Sequence, residues 1–248
     1  MYVKKIFLSF LLSSSLLPIV RAQVPDRQKA IGALHALSER YKTYKSLSFS
    51  IAYKYSAEDK PGLYADSLKG YFTMSGSRYR YILDSTEFIG DKDHVVVLYK
   101  RDRVMYLAKS SPALQSGNPM AKLDSVLLKN DSVHIRMDET KGQQTITLSF
   151  PSGSATREIR YVIDRGSGYL TRMVQVVPSR QLYDPSVRPL VQGQSSYAIV
   201  ETDFINYSQG NGDEQSLDQG QYFKKEGKQY TPLPPYDSYK IFLGTPDF

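Results

Sequence analysis

Between Ala65 and Ala108 the sequence reads ADSLKGYFTMSGSRYRYILDSTEFIGDKDHVVVLYKRDRVMYLA, five short apolar runs in series. Ser-Gly-Ser, Asp-Ser, Gly-Asp-Lys-Asp and Lys-Arg-Asp-Arg separate them. Each run is too short for a helix and rich in the Tyr, Phe, Val and Ile that suit a pleated, half-buried surface. The separators are turn residues. The stretch therefore predicts an antiparallel meander, and a sheet of that length needs an element to cover one face.

The chain before the meander supplies a candidate cover. Asp26, after Pro25, is a plausible N-cap, and Ala30, Ile31, Leu34, Leu37 and Tyr41 follow at helical spacing. This predicts an amphipathic helix of about four turns with one apolar stripe. His35 lies beside that stripe and reads as a partly exposed helical histidine. The period then changes to 2: Leu47, Phe49, Ile51, Tyr53 and Tyr55 face one way, and Ser46, Ser48, Ser50, Ala52 and Lys54 the other. Within the meander Leu68, Phe72 and Met74 share a face, as do Tyr79, Tyr81 and Leu83, with Arg78 and Arg80 pointing away. Val95 to Tyr99 is apolar on both faces, the pattern of a strand covered on both sides.

Lys109 to Asn130 breaks the strand pattern. A Ser/Pro/Gly/Asn loop is followed by Met120, Leu123, Val126 and Leu127, which fit a short helix. Such an insertion is either a lid or rim element or a connector packed on a barrel end. Strands resume at Val133–Asp138, Thr145–Phe150, Arg157–Asp164, Tyr169–Val177 and Tyr197–Tyr207, giving eleven in all. A Pro-containing loop, Pro178 to Ser196, precedes the last of them. The tail from about Ser208 is polar and then proline-rich, with Tyr239, Ile241 and Leu243 allowing one further strand. Neither an internal repeat nor a domain boundary is visible, so residues 23–248 are expected to form a single domain with a C-terminal extension from about 208.

Met1 to Ala22 reads as a secretory signal: Lys4 and Lys5, an apolar centre from Ile6 to Val20, and Val20-Arg21-Ala22 as a small-x-small cleavage site after about Ala22. The apolar centre is shorter than the roughly 20 residues of a membrane span and is broken by Ser13, Ser14, Ser15 and Pro18. The full chain carries 32 Lys+Arg against 25 Asp+Glu; without Lys4, Lys5 and Arg21 the mature chain is about +4. These charges are interspersed, with no basic stripe suited to nucleic acid. There is no cysteine, which excludes disulfides, thiolate metal sites and a cysteine nucleophile. The expected setting is a bacterial periplasm.

A catalytic constellation is not evident. His35, His94 and His134 have no metal-ligand spacing, and nucleophile-elbow, P-loop and dinucleotide-binding patterns are absent. Asp91 and Asp93 flank Lys92 on a turn that lacks the oxygen-rich continuation of a calcium loop. An exported hydrolase would need an acid–base pair assembled by the fold alone, so the reading is non-catalytic, with no cofactor. What the chain has in quantity is apolar and aromatic surface, including 20 Tyr and 10 Phe. Eleven strands faced by one helix leave room for an apolar ligand on the concave face.

The order of elements resembles the periplasmic lipoprotein carrier family, the LolA-like and LolB-like lipoprotein-localisation fold. Gly70 and Phe72 fit that family's glycine-started strand, and Arg78 to Tyr81 its aromatic-rich strand. Gly90-Asp91-Lys92 followed by Val95 to Tyr99 sits where the family has a hairpin. The family's tryptophans are missing, and the Pro178–Ser196 loop and the tail are additions. The resemblance implies a mainly β fold with helices (α+β), an open half-barrel antiparallel sheet wrapped around the N-terminal helix. It also implies a carrier or chaperone that shields acyl chains in an apolar cavity on the way to the outer membrane. Phe49, Ile51, Tyr53, Phe72, Met74, Tyr79, Tyr81 and Leu83 are then the expected cavity lining, with Leu34 and Leu37 closing it from the helix. Arg78 and Arg80 are the expected contacts for a partner or head group. The expected partners are lipoprotein acyl chains or other lipid and, secondarily, envelope membrane proteins. The alternative is a non-catalytic interaction module of an envelope complex built on the same fold, its cavity filled by its own side chains.

Overall fold

The computed structural model describes residues 23–110, 132–182, 195–210 and 214–245. The expected signal segment, the insertion helix and most of the Pro178–Ser196 loop lie outside them.

Helix α1 (Gln23–Thr43) begins three residues before Asp26 and runs for about six turns. Pro25 sits in its first turn, where a backbone N–H has no intrahelical partner and its loss costs nothing. Ala30, Leu34, Leu37 and Tyr41 are all buried, so the stripe is the packed face. Eleven strands follow: β1 (Ser46–Ala57), β2 (Tyr64–Ser75), β3 (Arg78–Leu83), β4 (Thr86–Gly90), β5 (His94–Tyr99), β6 (Val104–Lys109), β7 (His134–Glu139), β8 (Gln143–Ser149), β9 (Glu158–Asp164), β10 (Leu170–Pro178) and β11 (Tyr197–Gln209). After them come a hairpin, β12 (Phe223–Glu226) and β13 (Gln229–Pro232), and β14 (Lys240–Leu243).

One open sheet of twelve strands has the order β14-β6-β5-β4-β3-β2-β1-β11-β10-β9-β8-β7. It consists of two meanders, β1–β6 and β7–β11, joined where β1 pairs antiparallel with β11. The consecutive strands β6 and β7 thus stand towards opposite ends of the sheet. The outermost strands do not pair with each other, so the sheet is an open half-barrel rather than a closed barrel. The twelfth strand is the one that Tyr239, Ile241 and Leu243 allowed; it adds in parallel to β6, Lys240 opposite Val104 and Leu243 opposite Leu107.

Helix α1 lies closest to β7, and Arg27 Nη1 donates to the Val133 carbonyl at 2.8 Å. Its last turn is fixed to β10 and β11 by hydroxyls. Tyr41 and Tyr207 share a 2.6 Å hydrogen bond, and the Tyr207 hydroxyl lies 2.7 Å from the Leu170 carbonyl. Tyr169 stacks on Tyr207 with centroids 4.1 Å apart. Under the helix, one apolar cluster runs from Ile135 and Ile146 through Tyr161 and Phe204 to Phe72 and Tyr81. A second cluster lies on the opposite, convex face, where Ile89, Val96, Leu98, Met105 and Leu107 pack against Tyr222, Tyr236, Tyr239 and Ile241 of the C-terminal strap. Strand β5 is therefore covered on both sides: Val95 and Val97 belong to a cluster with Ala108, and Val96 and Leu98 lie beneath the strap.

Candidate functional site

Strand register brings the expected lining residues together. In the β1–β2 pair Phe49 stands opposite Phe72 and Leu47 opposite Met74; in the β2–β3 pair Phe72 stands opposite Tyr81, Met74 opposite Tyr79 and Gly70 opposite Leu83. Leu34, Leu37, Phe49, Ile51, Phe72, Tyr79 and Tyr81 are buried in the concave cluster, and Tyr53, Met74 and Leu83 pack against it with part of their surface exposed. All ten share one face of the sheet or the helix stripe above it.

The floor of this face is a ladder of rings. Phe49 stacks on Phe72 at 5.1 Å, Phe72 on Tyr79 at 6.2 Å, and Tyr81 on Phe88 at 5.8 Å. Gly90 makes room for the ladder: a β-carbon there would lie 2.6 Å from the Tyr79 ring. The polar tips are handled differently. The Tyr81 hydroxyl donates to that of Tyr53 at 3.1 Å. The Tyr79 hydroxyl is buried with no hydrogen-bond partner among the described residues. Burial, joined by the charge of Asp91, pushes Tyr79 up to about 12, and burial likewise raises Tyr81. These phenols stay neutral, and a face of neutral rings can bind apolar matter without doing proton chemistry.

The ladder does not extend evenly over the concave face. Tyr53, Leu83, Phe88 and Met173 border it with surface still exposed. Between α1, β8, β9 and the turn after β9 lies a cavity of about 250 Å³, lined by Ala33, Leu37 and Ile163 and rimmed by Arg40, Asp164 and Arg165. Leu37 itself is buried, so the helix packs closely there. Phe88 and Met173 were not singled out in the sequence; Phe88 lies in a five-residue strand, too short for a decisive alternation, and Met173 is placed on this face only by pairing with Tyr161 and Thr202.

The two arginines lie on the other face. Arg78 is 40% exposed and 3.6 Å from the Glu214 carboxylate. Arg80 Nε donates to Glu87 Oε1 at 2.6 Å, and Lys100 Nζ lies 2.7 Å from Glu87 Oε2. Glu87 itself is 1% exposed. Burial alone would raise its carboxyl, but the hydrogen bonds and charges of Arg80 and Lys100 outweigh burial and hold it below the usual carboxylate range. Among the described residues no cluster of three or more His, Asp or Glu is arranged to hold a metal ion.

No protein-family model matches the chain, and no curated protein matches its sequence. Solved structures are similar in fold. An uncharacterised conserved protein from Thermus thermophilus aligns over 87% of this chain and 98% of its own, at 8% identity and a TM-score of 0.45. A LolA superfamily protein from Nitrosomonas europaea aligns over 77% of this chain and 98% of its own, at 9% identity and a TM-score of 0.37. MucB of Pseudomonas aeruginosa, solved in complex with MucA, aligns over 77% of this chain and 61% of that one, at 12% identity and a TM-score of 0.40. The architecture is an open half-barrel, antiparallel apart from β14, with one N-terminal helix against its concave face.

Proposed function

We propose that the protein is an exported, non-catalytic carrier or chaperone of the periplasm that shields acyl chains of lipoproteins or other lipids. The observation that carries this reading is the partly exposed apolar border of Tyr53, Leu83, Phe88 and Met173 beside the buried ladder. An acyl chain gains about 0.8 kcal/mol per methylene removed from water, and a neutral, catalytically silent face suits that task. In this reading Leu34, Leu37, Phe49, Ile51, Tyr53, Phe72, Met74, Tyr79, Tyr81 and Leu83 form the site, and Arg78, the more exposed arginine, meets a partner or head group. Native mass spectrometry with lipid extraction tests it. A co-purifying acylated species that is lost in Leu83→Asp or Met173→Asp supports the carrier. A bare mass with no uptake of a fluorescent fatty acid removes it.

The ring ladder itself favours a second reading. Phe49, Phe72, Tyr79 and Tyr81 are bulky and fully packed, so much of the concave face is filled by the chain's own side chains. Under this alternative the half-barrel is an interaction module of an envelope complex. Affinity capture by a tagged copy in intact envelopes, with no bound lipid in the same preparation, would select it.

A further inference from the structure

The strap closes over the convex face but leaves a cavity of about 670 Å³ there, within the usual size range of small-ligand sites. Arg80 lies at its base, and Ser216, Gln221, Tyr222, Leu233 and Tyr236 are among its walls. The charge at that base is unbalanced. Glu87 is bonded to Arg80 and to Lys100, so two cations share one carboxylate. The donors are unbalanced as well. A guanidinium has five N–H groups; the Nε–H of Arg80 is engaged by Glu87, and the four on its terminal nitrogens have no partner among the described residues. The side chain is 27% exposed, whereas its anchor Glu87 is 1% exposed. A buried carboxylate thus fixes the guanidinium by one edge and leaves the paired terminal nitrogens, the geometry that grips a carboxylate or phosphate two-pronged. The Tyr222 and Tyr236 rings, 5.2 Å apart, give the cavity an aromatic wall.

We propose that this cavity binds an organic anion, its carboxylate or phosphate on Arg80 and its flat or apolar body against Tyr222 and Tyr236. The site is on the opposite side of the sheet from the acyl-chain face and stands whether or not that reading holds. Glu87 is a positioning residue here.

Calorimetric titration of the purified protein with benzoate, its neutral amide benzamide and inorganic phosphate tests the proposal. Benzoate is expected to bind saturably and benzamide not to. Arg80→Lys keeps a cation on Glu87 but removes the paired donors, and should weaken benzoate about tenfold or more, the scale of a lost charge-assisted hydrogen bond. Tyr236→Ala removes only wall, and should weaken benzoate while leaving phosphate unchanged; it carries the test if Arg80→Lys fails to fold. A peptide with a free C-terminal carboxylate, compared with its amidated form, separates the two sources. Tighter binding of the free peptide than of benzoate assigns the site to a partner's chain end, and weaker binding to a small molecule. Equal affinity for benzoate and benzamide, or benzoate binding unchanged in a folded Arg80→Lys, overturns the proposal.

Discussion

The concave and convex faces of this sheet are held by different physics. Under the helix the packing is rings and aliphatics, with hydroxyl pairs such as Tyr53–Tyr81 and Tyr41–Tyr207 as its polar links. Under the strap a comparable apolar cluster surrounds a buried carboxylate and its two cations. Apolar burial has no pH dependence of its own, whereas a buried ion pair is worth its attraction only while both partners are charged. The half-barrel and its strap should therefore come apart under different conditions.

The largest effect belongs to the concave side. Phe72→Ala removes a ring stacked between Phe49 and Tyr79 and should cost about 3–5 kcal/mol. A stability loss in urea unfolding of less than a third of that would show the ladder to be loosely packed and would erase the contrast.

Glu87→Gln comes next. It leaves Arg80 and Lys100 without their counter-charge and should cost about 2–3 kcal/mol, because both cations retain contact with water. The loss should be confined to the strap, so proteolysis within 215–243 should accelerate while helical circular dichroism holds. The acid dependence sharpens this. The folded Glu87 carboxyl is held below its unfolded range, so its contribution is complete above the ordinary carboxylate pKa and disappears as pH falls through the folded one. Wild type and Glu87→Gln should differ at about pH 7 and converge only as the pH falls through the depressed folded pKa of Glu87. Parallel curves would place the strap's stability elsewhere.

Gly90→Ala should cost about 1–3 kcal/mol, since its methyl meets the Tyr79 ring. A Tyr79→Leu background should relieve part of that cost; equal penalties in both backgrounds would remove the ring from the explanation. Smallest of all is Arg78→Ala, whose pair with Glu214 is exposed on both sides and should contribute about 0.5 kcal/mol or less.

The same contrast separates what the sequence made legible from what it hid. Strands β1 to β11 lie where the alternation and turn residues placed them, because a half-buried strand writes its burial directly as period 2. Phe49, Phe72 and Tyr81 were each legible on one face of their own strand for that reason, and strand register then aligns those faces. The strap was not. Its core is built from Tyr222, Tyr236 and Tyr239, scattered among Gly, Pro and Lys with no period. Its hairpin turns at Gly227, whose φ of 62° is the left-handed conformation that a two-residue connection demands. Glu226-Gly227-Lys228 between Phe223 and Tyr230 was the available signal. The Arg80–Glu87 pair depends on how β3 and β4 align across their turn, which places Ile82 opposite Glu87 and Arg80 opposite Ile89; seven positions of spacing do not reveal that by themselves. The first residues of α1, Gln23 to Pro25, were missed because Pro25 was read as a boundary rather than as a residue tolerated in a first turn.

Strand β14 has a consequence in time rather than in space. It is the neighbour that covers the outer edge of β6, and Lys109 meets Thr245 across 136 positions of chain. Until that late segment arrives, β6 presents a row of unpaired backbone donors and acceptors, the template on which stray strands nucleate. Pairings between such distant positions form slowly. A chain delivered N-terminus first therefore passes through an interval in which its meander is complete and its edge is still adhesive, and a chaperone would have its best opportunity to act during that interval.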